Sequence, residues 1–369
     1  MTPRTSKPRP KEGLNRRECI RNLALGGGVA LTAGSLAAAR PTSRGKRMGI
    51  VVYSYSIRRS SRNSSKRYPP FKDAIELMDH CHSIGAGGFQ VGVQGWEKAF
   101  ARNVRDRREE LGLYLEGQIR LPKEREDLSR FEQDISAAKE AGANVLRVAV
   151  GGRRYEQFDS FEGWKGMKEQ AWESFRLAEP IAAKHRVKLA VENHKDWRID
   201  DLVEFVRGIS SEWFGICLDT GNSIALLEDP LETARALSPS VFTTHVKDMG
   251  VKEYADGFLL SEVPLGRGFL DLKSVFNLCE KSNPQVQFCL EMITRDPLKV
   301  PCFTQDYWAT FQDVGAKALA GAMRMVRANA SQHPLPNISN RPPDGQLQYE
   351  EANIRYCLKY AEDELGMTG

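Results

Sequence analysis

At 369 residues and 41% hydrophobic content the chain can bury one large core, and 53 basic against 48 acidic residues give it a formal charge of +5. That surplus sits in residues 1–39, which hold seven Lys/Arg and two Glu and leave 46 of each sign elsewhere; a neutral main domain argues against a nucleic-acid partner. Six cysteines beyond that segment, with no CxxC pair and no regular spacing, argue against a disulfide framework or a thiolate zinc site and read as buried free thiols.

Taken in order, Asn15-Arg16-Arg17-Glu18-Cys19-Ile20-Arg21 resembles the twin-arginine export signal, and a Gly/Ala-rich stretch from Leu23 to Ala39 follows it. Four glycines and no aromatic residue in that stretch disfavour a spanning helix, which wants about 20 strongly apolar residues. Residues 1–39 are therefore expected to be a cleaved leader that sends the protein to the periplasm, with an uncleaved membrane anchor as the alternative. After cleavage no membrane contact is expected, and a homo-oligomer is allowed.

Beyond the leader, strand-like runs alternate with helical periodicity, the pattern of βα units around a parallel sheet. Met48–Tyr53 then Phe71–Ile84 form the first unit, Gly88–Val93 then Trp96–Leu111 the second, Leu113–Ile119 then Glu124–Ala141 the third, and Val145–Val150 then Phe161–His185 the fourth. Val187–Glu192 opens the fifth, with Ile199–Ile209 as its helix. Phe214–Leu218 pairs with Leu231–Leu237, Val241–Val246 with Leu272–Cys279, and Val286–Leu290 with Tyr307–Arg327. Eight units make a (β/α)8 TIM barrel over residues 48–330, a single α/β domain. Long connections at 54–70, 247–268 and 293–306 fall on the catalytic face; the last two mix aromatics, prolines and charges, which favours order. Residues 331–369 read as a Pro-rich linker and an appended amphipathic helix near Gln346–Leu365.

Four of these strands end on a residue that can bind a hard metal ion: Glu192, Asp219, His245 and Glu291. Side chains alternate faces along a strand, so each ligand shares a face with small or polar residues such as Ala190, Cys217, Thr243 and Cys289. Bulky residues such as Leu189, Ile216 and Phe288 take the other face. All four ligands then point inward at the C-terminal mouth, where a parallel barrel keeps its active site. Three carboxylates and one imidazole suit one divalent ion, Mn²⁺ first, with Mg²⁺ or Co²⁺ as alternatives. His194, Lys195, Asn222, Lys247, Arg267 and Arg295 lie close enough in sequence to these ligands to contact a substrate.

Val-Glu-Asn-His at 191–194, Leu-Asp-Thr-Gly-Asn at 218–222, His-Val-Lys-Asp at 245–248, Pro-Leu-Gly-Arg-Gly at 264–268 and Leu-Glu at 290–291 carry a family resemblance. The chain resembles the xylose isomerase-like TIM barrels, a superfamily of sugar isomerases and epimerases that also contains endonuclease IV. The resemblance implies that Glu192, Asp219, His245 and Glu291 hold the metal, and that Glu192 and Glu291 also perform acid/base chemistry on a small sugar substrate. An ion bridging the two oxygens of an α-hydroxy ketone stabilises its enediolate, and two carboxylates across the sugar can remove and return a proton. The expected activity is therefore a sugar isomerase or epimerase. Asn222 breaks the pattern, because several epimerases carry a histidine there and an amide cannot relay a proton.

Two other enzyme readings share the scaffold. An inosose or keto-sugar dehydratase would form the same enolate and then expel β-hydroxide. An endonuclease IV-like repair enzyme needs further His and carboxylate ligands from earlier strands, where this chain offers Gln90, Gln118 and Arg120. A non-catalytic sugar-binding protein is a third class, against which both acid/base glutamates argue.

Overall fold

The computed structural model describes residues 46–369, so the expected leader lies outside the described residues. Seven parallel strands come first: β1 (Gly49–Val51), β2 (Gly88–Gly92), β3 (Tyr114–Gln118), β4 (Val145–Val148), β5 (Lys188–Glu192), β6 (Phe214–Asp219) and β7 (Val241–Val246). Three more strands, β8 (Asp248–Tyr254), β9 (Gly257–Val263) and β11 (Leu298–Val300), form a separate antiparallel sheet. The eighth barrel strand is β10 (Gln287–Leu290), which closes the ring between β7 and β1 with Gly49 beside Cys289 and Ile50 beside Leu290. The expected closed parallel barrel is present.

The expected division of faces is visible in burial. Leu189, Val191, Ile216, Leu218, Phe288 and Leu290 join the apolar layer between the barrel and its helices. Each such side chain contributes about 1.5–3 kcal/mol by leaving water. Gly215 is required where β6 meets β7: a Cβ there would lie 2.5 Å from the Ser240 carbonyl oxygen and 2.7 Å from the Phe242 ring.

The helices follow in order: α1 (Ala74–Ser83), α2 (Lys98–Leu111), α3 (Leu128–Glu140), the short α4 (Arg154–Gln157), α5 (Phe161–His185), α6 (Ile199–Ile209), α7 (Pro230–Leu237) and α8 (Leu272–Ser282). Local chemistry sets their starts. The Asp73 carboxylate accepts from the Ile75 and Glu76 amides at 2.8 and 3.0 Å, and Asp229 caps α7 ahead of Pro230. The first strand is shorter than its apolar run suggests. Val52–Tyr55 winds into a 3-10 turn, and the Ser54 hydroxyl donates to the Leu290 carbonyl at 2.9 Å.

Two stretches expected as ordered loops are indeed ordered, but as sheet. Residues 247–268 are mostly the β8–β9 hairpin, and β11 comes from the connection after β10. Asp248 ties the hairpin down, accepting from the amides of Met249, Gly266, Gly268 and Leu270 at 2.9–3.1 Å. A Cβ at Gly268 would sit 2.1 Å from an Asp248 oxygen, so the Pro264–Gly268 word encodes this backbone cradle.

The expected eighth helix at 307–327 is replaced by α9 (Gln305–Trp308) and α10 (Ala316–Ala328). Ala322, Met323 and Val326 of α10 pack with Val251, Phe258 and Val300 of the accessory sheet, which offers them a second apolar core. The C-terminal helix α11 (Pro343–Leu365) is present and does more than append: Ile354, Cys357, Ala361 and Leu365 belong to the barrel core. Its Glu351 approaches His80 of α1 at 3.2 Å and its Glu364 approaches Lys273 of α8 at 3.7 Å. It thus fills the eighth-helix position between α8 and α1. The six cysteines in the described residues are free and buried, as the spacing indicated. No helix among the described residues is long and apolar enough to cross a membrane.

Candidate metal centre

Glu192 and Asp219 end β5 and β6, His245 is one residue from the end of β7, and Glu291 follows β10 directly. Barrel closure therefore brings the four side chains together at the C-terminal mouth, all buried, with one ligand atom from each within 4.8 Å of the others. His245 Nδ1 lies 3.3 Å from Glu291 Oε1 and 3.6 Å from Glu192 Oε1.

The donor set fits a cation. His245 Nδ1 is buried and makes no hydrogen bond, a costly state unless something else meets it, and the buried Asp219 Oδ2 is met by Lys247 Nζ at 2.8 Å. The other imidazole nitrogen is accounted for: His245 Nε2 lies 2.7 Å from Gln90 Oε1. Gln90 is fixed in that sense because its amide nitrogen donates to Glu116 Oε2 at 3.0 Å while Gln118 donates to its oxygen at 2.9 Å. Nε2 then carries a proton, which makes Nδ1 the nitrogen that would ligate a metal ion. Asp219 Oδ1 accepts from the Gly221 and Asn222 amides at 2.8 Å each, so Oδ2 is the oxygen turned toward the other ligands. Glu192, Asp219, His245 and Glu291 form a group that could hold a divalent metal.

Cations balance these carboxylates. Arg147, on the inward face of β4, donates Nε and Nη2 to Glu192 Oε2, with the Nε contact at 2.5 Å. Lys247 Nζ sits 2.8 Å from Asp219 Oδ2 and 2.6 Å from Glu291 Oε2. Burial alone would raise both glutamates, but Arg147 holds Glu192, and Lys247 holds Glu291, well below the usual carboxylate range. Removing one partner of such a buried pair typically costs about 3–5 kcal/mol.

A cleft of about 600 Å³ opens above the centre, with Tyr53, Arg147, His194, Lys195, Lys247 and Arg295 on its walls. His194, Lys195, Lys247 and Arg295 are thus brought together on one cleft. Burial pushes the His194 imidazole down to about 4, which keeps it neutral. Asn222 lies beneath the cleft, where its amide donates to Glu192 Oε1 at 3.1 Å and its oxygen accepts from Lys195. Arg267 is not brought to the site. It is exposed on the hairpin end, with its guanidinium 5.0 Å from the ring centroid of Tyr356 on α11.

Arg147, Glu116 and Glu262 also support the site and were not expected from the sequence. An arginine at an inward position of the apolar β4 run was a visible signal for the first. Glu262, buried on β9, pairs with both ends of the Arg295 guanidinium, the Nε contact being 3.0 Å. Nothing local marked that pair, because it joins the accessory sheet to the loop after β10.

With this geometry in hand, comparisons place the chain among known proteins. A family model described as xylose isomerase-like TIM barrel matches residues 73–317. The 3-oxo-isoapionate decarboxylase of Pectobacterium atrosepticum is 24% identical over 269 residues, covering 71% of this chain and 91% of that protein. Among solved structures, a xylose isomerase-like TIM barrel protein from Mycobacterium smegmatis in complex with magnesium superposes with a TM-score of 0.51 at 16% identity, covering 77% of this chain and 99% of the other. A D-psicose 3-epimerase crystallised in the presence of D-fructose gives 0.53 at 14% identity, covering 87% and 99%.

Proposed function

The chain belongs to the xylose isomerase-like TIM barrel family, and from that premise we propose that it is a divalent-metal-dependent sugar isomerase or epimerase. The observation that carries this reading is the buried Glu192–Asp219–His245–Glu291 group, whose Glu291 lines the cleft walled by Arg147, His194, Lys195, Lys247 and Arg295. An ion held there would polarise the carbonyl of an α-hydroxy ketone and stabilise the negative charge of the enediolate. Glu192 and Glu291 would flank the reacting carbons from separate strands, as ligands and as the groups that move the proton. Lys247 and Arg147 would keep both carboxylates charged, and neutral His194 would hydrogen-bond a sugar hydroxyl. Incubating the Mn²⁺-loaded protein with keto-hexoses and inososes in D₂O tests the reading: deuterium should enter at the carbon next to the carbonyl. Product without incorporated deuterium would point away from an enediolate exchanging with solvent.

One observation favours a second reading. The cleft carries five lysine and arginine side chains, and a relative 24% identical is a decarboxylase of a 3-oxo sugar acid. Loss of carbon dioxide from a 3-oxo acid that carries a 2-hydroxyl leaves the same kind of enediolate and needs no base to start it. Release of carbon dioxide from 3-oxo-isoapionate, with no exchange on neutral keto-sugars, would favour this reading over isomerisation.

A further inference from the structure

Four of the five cations on the cleft wall face carboxylates: Arg147 meets Glu192, Arg153 meets Glu156, Lys247 meets Asp219 and Glu291, and Arg295 meets Glu262. Lys195 is different. Among the described residues no carboxylate oxygen lies within the 4.0 Å ion-pair distance of its Nζ, although the residue is only 3% exposed. Its sole side-chain partner is neutral, the Asn222 oxygen, from which Lys247 Nζ is 3.5 Å away. Two ammonium groups therefore converge on one carbonyl. The segment is firmly held: the Lys195 carbonyl accepts from the Arg154 amide at 2.8 Å, and Asp196 accepts from the Gly151 amide at 2.7 Å. A buried lysine without a counter-ion is costly in its charged form and gives up a proton readily.

We propose that Lys195 is a catalytic acid/base, the group that delivers the proton to the enediolate carbon. The proposal rests on the enediolate reading above and holds for isomerisation and decarboxylation alike. In the step, the Nζ–H bond breaks and a C–H bond forms with the electron pair of the enediolate. The carbonyl is restored, and the neutral amine then takes a proton from water in the cleft; in reverse, the neutral amine removes that proton. Asn222 cannot relay a proton itself, but it aims the side chain that can. Lys195 takes over from Glu192 the return of the proton, since Glu192 Oε2 is taken by Arg147 and its Oε1 accepts from Asn222, while Glu291 keeps its part in proton removal. Burial first, then Lys247, pushes the Lys195 amine down to about 8, with Arg295 acting in the same sense and Glu262 and Asp219 opposing.

The test uses the full metal-loaded chain and has two arms. Competitive acetylation with acetic anhydride, read by peptide mass spectrometry, should give Lys195 a midpoint near pH 8, and exposed Lys72 one no lower than the ordinary lysine value of 10.5. Asn222→Asp, which supplies a counter-ion, should raise the Lys195 midpoint. In D₂O, Lys195→Arg and Lys195→Ala should keep their ion but lose turnover by ~10²–10⁴-fold, and ethylamine should restore part of it to the alanine variant only. A midpoint for Lys195 no lower than that of Lys72, or a Lys195→Arg variant as fast as an active wild type, overturns the assignment of Lys195 alone. A wild type that exchanges deuterium with no keto-sugar and decarboxylates no 3-oxo acid overturns the enediolate reading, and the role with it.

Discussion

His245 Nε2 meets Gln90 Oε1 at 2.7 Å, and this contact sets which imidazole nitrogen faces the ligand group. Replacing Gln90 by Leu should leave the Nε2 proton without an acceptor in the barrel interior and free the ring to turn. Loss of such a supporting contact typically weakens metal binding 10–100-fold. Titration of Mn²⁺ by calorimetry should show that drop with the fold intact; unchanged affinity would mean that the ring is oriented by packing alone.

The four-ligand group should take up one divalent ion per chain. Asp219→Ala and His245→Ala should each abolish stoichiometric uptake, measured by elemental analysis after dialysis. Their melting temperatures should no longer rise when metal is added, because an ion that binds only the folded state stabilises it by mass action. Full metal content in both variants would sink the assignment. Comparing Mn²⁺, Mg²⁺ and Co²⁺ in the same titration identifies the preferred ion.

Truncation after residue 330 should prevent folding, even though the family model ends at residue 317. The cut removes Ile354, Cys357, Ala361 and Leu365 from the barrel core. Ile354 and Leu365 alone, at about 1.5–3 kcal/mol each, remove about 3–6 kcal/mol from a domain stability that is typically about 5–15 kcal/mol. Ile354→Ala alone should cost about 2–5 kcal/mol in urea unfolding. A soluble truncated chain with native near-ultraviolet dichroism would show α11 to be dispensable.

Glu350 on α11 accepts from the Ile57 and Arg58 amides at 2.7 and 3.0 Å and so fastens the loop after β1. Burial, outweighing those amides, pushes its carboxyl from the ordinary 4.5 up to about 7. Between those values the folded chain holds a proton that the unfolded chain has lost, so stability should fall as pH rises from 4.5 to 7. The full effect is on the order of 3 kcal/mol at most, at 1.36 kcal/mol per pH unit. Glu350→Gln should flatten this part of the profile. Urea midpoints for both proteins, taken in EDTA so that metal release does not intrude, provide the check.

We further propose that the paired Arg16 and Arg17 direct export. Changing both to Lys should leave the folded protein in the cytoplasm, followed by fractionation and immunoblotting. Normal export of the double variant would assign the segment to another route or to an anchor.

What the sequence determined on its own is what local periodicity controls. Strand alternation placed Glu192, Asp219, His245 and Glu291 on one face, and helical spacing between the runs counted the barrel's units. Neither depends on distant neighbours, so both could be read in windows of a few residues. Partners were another matter. Arg147 meets Glu192 across 45 residues and Arg295 meets Glu262 across 33, and only closure of the barrel and folding of the accessory sheet put them side by side. Arg267 was expected near the substrate from its closeness in sequence, yet the hairpin anchored by Asp248 carries it outward to Tyr356. The C-terminal helix showed its amphipathic stripe plainly, but not what that stripe covers. Its place between α8 and α1 is decided by the apolar surface left open when α10 packs on the accessory sheet instead of on the barrel. Periodicity fixes the direction of a side chain from its own backbone, whereas the identity of what it meets depends on how the whole chain closes.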